Sequence, residues 1–105
     1  MNERRRLYLV PPGSPRIRTF TTEDRQWLQQ AMQQIQAIKA SCTHVVVRSN
    51  LTSFENMAAS FANSREDYIA MLSCLDIALQ IIRSAGHVKT EELFRIRSTF
   101  SRRFR

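Results

Sequence analysis

Residues 68–82 constrain the fold more than any other stretch of this chain. Tyr68, Leu72, Leu75, Leu79 and Ile82 recur at steps of three and four, and Met71, Cys74, Ala78, Ile81 and Ala85 form a second row beside them. Two adjacent apolar rows at helical period describe a helix buried over most of its circumference. Only a narrow stripe is polar: Ser73, Asp76, Gln80, Arg83 and Ser84. The remainder of the chain must supply the helices that cover such a segment. The spacing therefore predicts the centre of a small bundle, touched from several sides. Ser64 stands before it as an N-cap with Asp67 three residues on, and Gly86 is placed to end it. At 15 residues, with Ser73, Asp76 and Gln80 inside, it is too short and too polar to span a bilayer.

Three further helices are legible. Thr21, Thr22, Glu23 and Asp24 place a hydroxyl cap and two acids at a helix start, where they meet free N–H groups and the positive dipole end. Leu28, Ala31, Ile35, Ile38, Cys42 and Val45 then follow at alternating steps of three and four, opposite a face of Gln29, Gln30, Gln33, Gln34 and Gln36. That is the a/d spacing of a helix packed along its length on a partner. A chain this small buries only roughly 60–65% of its unfolded surface. The row therefore predicts a homodimer through Leu28, Ala31, Ile35 and Ile38. Val45, Val46 and Val47 are β-branched and strand-like by composition. They are read as the end of this first helix, followed by a loose connection through Ser49 and Asn50. The alternative is a single strand, for which Leu7, Tyr8, Leu9 and Val10 are the available partner.

A second helix is expected from Thr52, with Glu55 completing a capping box and Phe54, Met57, Ala58 and Phe61 as its apolar face. A last helix is expected from about Thr90, with Glu91 and Glu92 in its first turn and Leu93, Ile96, Phe100 and Phe104 facing inward. Two Gly and three Pro in 105 residues cannot furnish the turns of a sandwich or barrel. The expected architecture is all-α: about four helices with an extended basic N-terminal arm, as a dimer. Residues 1–19 form the arm, because Pro11, Pro12, Gly13 and Pro15 forbid a helix there. Residues 20–88 form the helical core. Residues 89–105 form a basic C-terminal helix packed on the core or extending from it.

The charge is concentrated at the ends. Residues 1–18 carry Arg4, Arg5, Arg6, Arg16 and Arg18 against Glu3, residues 19–88 are one charge negative, and residues 89–105 carry Lys89, Arg95, Arg97, Arg102, Arg103 and Arg105 against Glu91 and Glu92. Each end thus stands at +4 in a chain of +7. Fourteen of the sixteen basic residues are Arg, whose planar fork grips phosphate bidentately. A coding bias toward Arg is the bland account of the same count. In the run L-F-R-I-R-S-T-F-S-R-R-F-R, aromatic and basic residues interleave. The segment reads as a nucleic-acid grip, as a basic amphipathic helix for a partner groove or an anionic membrane surface, or as a last bundle helix with a solvated Arg face. Phe94, Phe100 and Phe104 either dock on the core or stay partly exposed.

Catalytic chemistry finds little support. His44 and His87 lack Cys, Asp or Glu at ligand spacing, and Gly13 and Gly86 stand alone, with no phosphate loop. The acid pairs Glu23-Asp24, Glu66-Asp67 and Glu91-Glu92 each sit at an expected helix start. Cys42 and Cys74 are read as buried reduced thiols, which implies an intracellular protein, nuclear or cytoplasmic. A helix-turn-helix laid over Ala58, Asn63, Ile69 and Leu72 would point Glu66 and Asp67 at the phosphates, which is electrostatically wrong. No enzyme, cofactor, metal site or membrane-spanning segment is expected, and membrane-surface binding is disfavoured.

The reading is a non-enzymatic nucleic-acid-binding protein that grips the phosphate backbone, DNA or RNA alike. Arg4, Arg5, Arg6, Arg16, Arg18, Arg95, Arg97, Arg102, Arg103 and Arg105 are its candidate contacts. Small viral accessory proteins and chromatin- or RNA-associated factors are the analogy, at the level of class alone. The alternative is a protein–protein adaptor or assembly factor whose Arg-rich ends hold an acidic partner, or whose helices hold a helical one.

Overall fold

The computed structural model describes residues 20–105, and these contain four helices and no strand: α1 Thr22–Ala40, α2 Val45–Ala59, α3 Arg65–Ser84 and α4 Thr90–Phe104. The N-terminal arm, with Arg4, Arg5, Arg6, Arg16 and Arg18, lies outside the described residues.

The expected caps at α1 and α3 are present. Thr21 Oγ1 accepts from the Asp24 amide at 3.1 Å, and Asp24 Oδ2 accepts from the Thr21 amide at 3.0 Å, a reciprocal capping box. Ser64 Oγ accepts from the Asp67 amide at 3.2 Å. Asn63, just before that cap, turns the chain through φ +65°, a region that Asn tolerates better than most residues. Gly86 follows α3 at φ +67°, the left-handed closure for which glycine pays no Cβ penalty.

The first connection departs from the sequence reading. Val45, Val46 and Val47 begin α2 rather than ending α1, and His44 Nδ1 caps them by accepting from the Val46 amide at 3.2 Å. Val47, Leu51, Phe54 and Ala58 are all fully buried, at steps of four, three and four. Burial on that period outweighs the weak local preference of valine for strands. Val45, at 77% exposure, is no part of the α1 row, which stops at Cys42. Thr52 and Glu55 consequently lie inside α2, and no capping box forms there. Glu55 instead ties α2 to α1, accepting from Lys39 Nζ at 2.8 Å and from Gln36 Nε2 at 2.6 Å.

Connections of four or five residues join the helices, so consecutive helices run antiparallel. α2 packs on α1 and α3, and α4 packs on α3 and closes the ring against α1. The two ends of the core differ in chemistry. The α1 start, α2 end, α3 start and α4 end bring Phe20, Trp27, Phe61, Tyr68, Phe100 and Phe104 together. Tyr68 stacks on Phe100 at 5.3 Å, and Phe61 meets Phe104 edge-on at 5.4 Å. Phe54 extends the cluster, with its centroid 5.5 Å from that of Phe100. The other end is closed by aliphatic residues, among them Ile38, Val47, Ile82 and Leu93.

α3 packs on α2 and α4, and one side of it faces outward. Ile69 and Ile77 on that side are 49% and 43% exposed. The α1 row packs inward. Leu28, Ile35 and Ile38 are 0% exposed and Ala31 is 2%, all within a single chain. Its 3-4 spacing is satisfied by the chain's own α2 and α4, so the row is buried before any second copy is added. An a/d pattern reports that a helix has a partner, not whether that partner is another molecule. No described helix is long and apolar enough to cross a membrane.

Candidate nucleic-acid interface

Burial of Leu93, Ile96, Phe100 and Phe104 fixes the rotation of α4 and thereby sorts its arginines. Facing away from the core is the stripe Glu91, Arg95, Ser98, Arg102 and Arg105, at steps of four, three, four and three. Arg95, Arg102 and Arg105 are exposed on it. Arg95 retains 69% of its side-chain surface and makes a loose 3.5 Å contact with Glu91. Arg102 Nη2 donates to Thr99 Oγ1 at 3.3 Å. Seven residues of helix separate Arg95 from Arg102 by about 10 Å along the axis.

The other two candidates on α4 do structural work. Arg97 Nε donates to Asp76 Oδ1 at 2.7 Å and ties α4 to α3. Arg103 Nε donates at 3.1 Å to Oδ1 of Asp24, whose side chain is only 4% exposed, and ties α4 to α1. The structure therefore gathers three of the five C-terminal arginines on one surface and commits two to packing. A difference between neighbours follows. Arg102→Gln should change stability by less than about 0.5 kcal/mol. Arg103→Gln should cost about 1.5–3 kcal/mol, because it weakens a charge-assisted bond to a buried carboxylate. Urea melts of the two variants check this, and equal midpoints would refute the division.

The aromatic residues sort in the same way. Phe100 and Phe104 are buried and present no face to a base. Phe94 is partly exposed, with the Arg83 guanidinium 5.7 Å from its ring centroid. Outside α4, Arg25 and Arg48 serve helix ends. Arg25 donates to the carbonyls of Ala58 at 2.9 Å and Phe61 at 2.8 Å, closing α2, and lies 4.7 Å over the Phe20 ring. Arg48 donates to the carbonyl of Lys39 in the last turn of α1 and to that of Cys42 just beyond it. Sequence reasoning assigned Arg25 no role. Its signal was a cation in the first turn of a helix, where the dipole disfavours it.

Between α1 and α4 lies a pocket of about 280 Å³ lined by Trp27, Gln34, Glu92, Arg95, Ile96 and Thr99. Trp27 is the single tryptophan of the chain and was not singled out from the sequence. Its ring stacks toward Phe100 at 6.4 Å and tilts against Phe104 at 6.0 Å, so one side is anchored in the core. The pocket adjoins the arginine stripe, sharing Arg95 with it and reaching Arg102 through Thr99.

Compared with protein-family models, curated proteins and solved structures, the chain matches none. Among the described residues, no group of three His, Cys, Asp or Glu side chains is placed to hold a metal. His87 braces the 85–89 connection: Nδ1 accepts from the Lys89 amide and Nε2 lies 3.0 Å from the Ser41 carbonyl, which assigns the proton to Nε2. Cys42 is buried and Cys74 partly so, both as free thiols, and burial pushes the Cys74 thiol pKa up. The acid pairs Glu23-Asp24, Glu66-Asp67 and Glu91-Glu92 occupy the first turns of α1, α3 and α4.

Proposed function

We propose that this chain is a non-enzymatic nucleic-acid-binding protein of the nucleus or cytoplasm, holding the phosphate backbone with little sequence readout. The observation that carries the proposal is the outer stripe of α4. Arg95, Arg102 and Arg105 stand exposed on one rigid helix, with Glu91 the one carboxylate among them. Mounting on a packed helix lowers the entropy cost of presenting three cations together. Arg4, Arg5, Arg6, Arg16 and Arg18, which lie outside the described residues, are proposed to add charge from the other end of the chain.

The test is a salt titration. Each neutralised phosphate contributes roughly −0.9 to the slope of log affinity against log salt on duplex, and roughly −0.7 on single strands. Replacing Arg95, Arg102 and Arg105 together with Gln should flatten that slope by about two to three units, almost independently of base sequence. The melting temperature should barely move, because exposed arginines contribute little to folding. An unchanged slope would sink the proposal.

The adaptor reading has one observation on its side, the half-exposed Ile69 and Ile77 on the outer side of α3. It expects negligible affinity for plain nucleic acid at 100 mM salt, and loss of an acidic or helical protein partner when the α4 arginines are replaced.

A further inference from the structure

The pocket between α1 and α4 adjoins the arginine stripe. Four of its six lining residues are polar, Gln34, Thr99, Glu92 and Arg95, and Trp27 and Ile96 complete it. Polar groups converging beside an aromatic ring suit a planar ligand with polar edges. Glu92 is the informative member: Lys89 Nζ lies 3.4 Å from Oε1, which leaves its second oxygen to accept from a ligand. A carboxylate repels phosphate, yet it accepts a hydrogen bond from the exocyclic amino group of a base. Gln34 offers the paired donor and acceptor of an amide, which reads a base edge as well. Trp27 supplies the flat surface on which a base stacks, and its packing on Phe100 and Phe104 holds that surface fixed.

Resting on the phosphate-binding reading above, we infer that this pocket takes one unpaired nucleobase of a single strand. The base stacks on Trp27, its amino edge meets Glu92 and Gln34, and the adjoining backbone runs over Arg95 toward Arg102. The occupant is argued from charge complementarity: Arg95 and Arg102 outnumber Glu91 where the backbone passes, and the Glu92 carboxylate lies where a base donates. A paired base cannot stack on Trp27, because both of its faces are already stacked within the duplex. The site therefore favours single strands over duplex, and cytosine, adenine or guanine over uracil.

The single tryptophan makes the test direct. The full chain is titrated with a ten-residue oligocytidylate, the matching oligouridylate, and a blunt duplex of equal total charge. Fluorescence anisotropy of the labelled nucleic acid reports binding, and Trp27 emission reports stacking. The inference expects oligocytidylate to bind at least tenfold tighter than the duplex and to quench Trp27 emission, with oligouridylate weaker. Trp27→Ala should reduce single-strand affinity by about 5- to 100-fold and leave duplex affinity within twofold. Because Trp27 also touches the core, the exposed Gln34→Ala serves as a second variant. It should weaken oligocytidylate several-fold at an unchanged melting temperature. If all three probes bind equally and Trp27 emission stays constant, the base pocket is overturned while the phosphate reading stands. If none of them binds at 100 mM salt, the phosphate reading falls and takes the pocket with it.

Discussion

Phe100→Ala should lower the folding free energy by about 3–5 kcal/mol, the cost of truncating a fully buried aromatic residue. Phe100 is 0% exposed, and its ring lies within about 6.5 Å of five others: Trp27, Phe54, Phe61, Tyr68 and Phe104. Four of those partners, Trp27, Phe54, Tyr68 and Phe104, come one from each helix, so the cavity left behind opens at the point where the bundle is held together. Aromatic pairs add about 0.5–1.5 kcal/mol each beyond the area they bury, which places the expected cost in the upper part of the range. For a domain of this size the melting temperature should fall by on the order of 15–30 °C. Ser98→Ala, on the opposite side of the same helix, should stay within about 0.5 kcal/mol of the parent. Calorimetry of the two variants checks both values. A Phe100→Ala protein that melts within a few degrees of the parent would show that the aromatic end is not the keystone of the fold.

Ile35→Glu should unfold the chain at neutral pH rather than release a folded monomer. Ile35 is 0% exposed in the core of one chain, so the substitution places a carboxylate where water cannot reach it. An unpaired buried charge costs several kcal/mol, against a total stability on the order of 5–15 kcal/mol for a small domain. Burial would raise the pKa of the introduced carboxyl in the folded state. The variant should therefore regain stability as pH falls through that raised value, and lose it as pH rises. Far-ultraviolet circular dichroism at pH 7 and pH 4.5 measures this directly. Had the α1 row been a seam between copies, the variant would keep its helicity at pH 7 and sediment as a folded monomer. That outcome would overturn the core assignment.

Much of the architecture was written locally. The caps at Thr21 and Ser64, the closure at Gly86 and the apolar periods of α1, α3 and α4 each depend on residues within a few positions of one another. Short-range chemistry of this kind is readable without knowing what lies across the core. The junction at residues 41–47 was not readable, because the choice depended on whether Val47 had a core to enter. Strand-like composition at Val45, Val46 and Val47 was a true local signal, overridden by burial in register with Leu51, Phe54 and Ala58.

The candidate interface divides along the same line. The sequence by itself determined that the C-terminal segment is a helix rich in arginine with one apolar side, because period and composition are properties of the string. Which arginines remain available was decided by the tertiary structure alone. Asp76 on α3 and Asp24 on α1 stand 21 and 79 residues from the arginines they hold, and only packing brings them together. The same closure of α1 against α4 placed Trp27 beside Arg95 and Thr99 and formed a pocket that no spacing along the chain could announce. It also turned the α1 row from a surface into a core. Periodicity fixes the rotation of a helix relative to its own apolar face, whereas the identity of what covers that face is a long-range property of the folded chain.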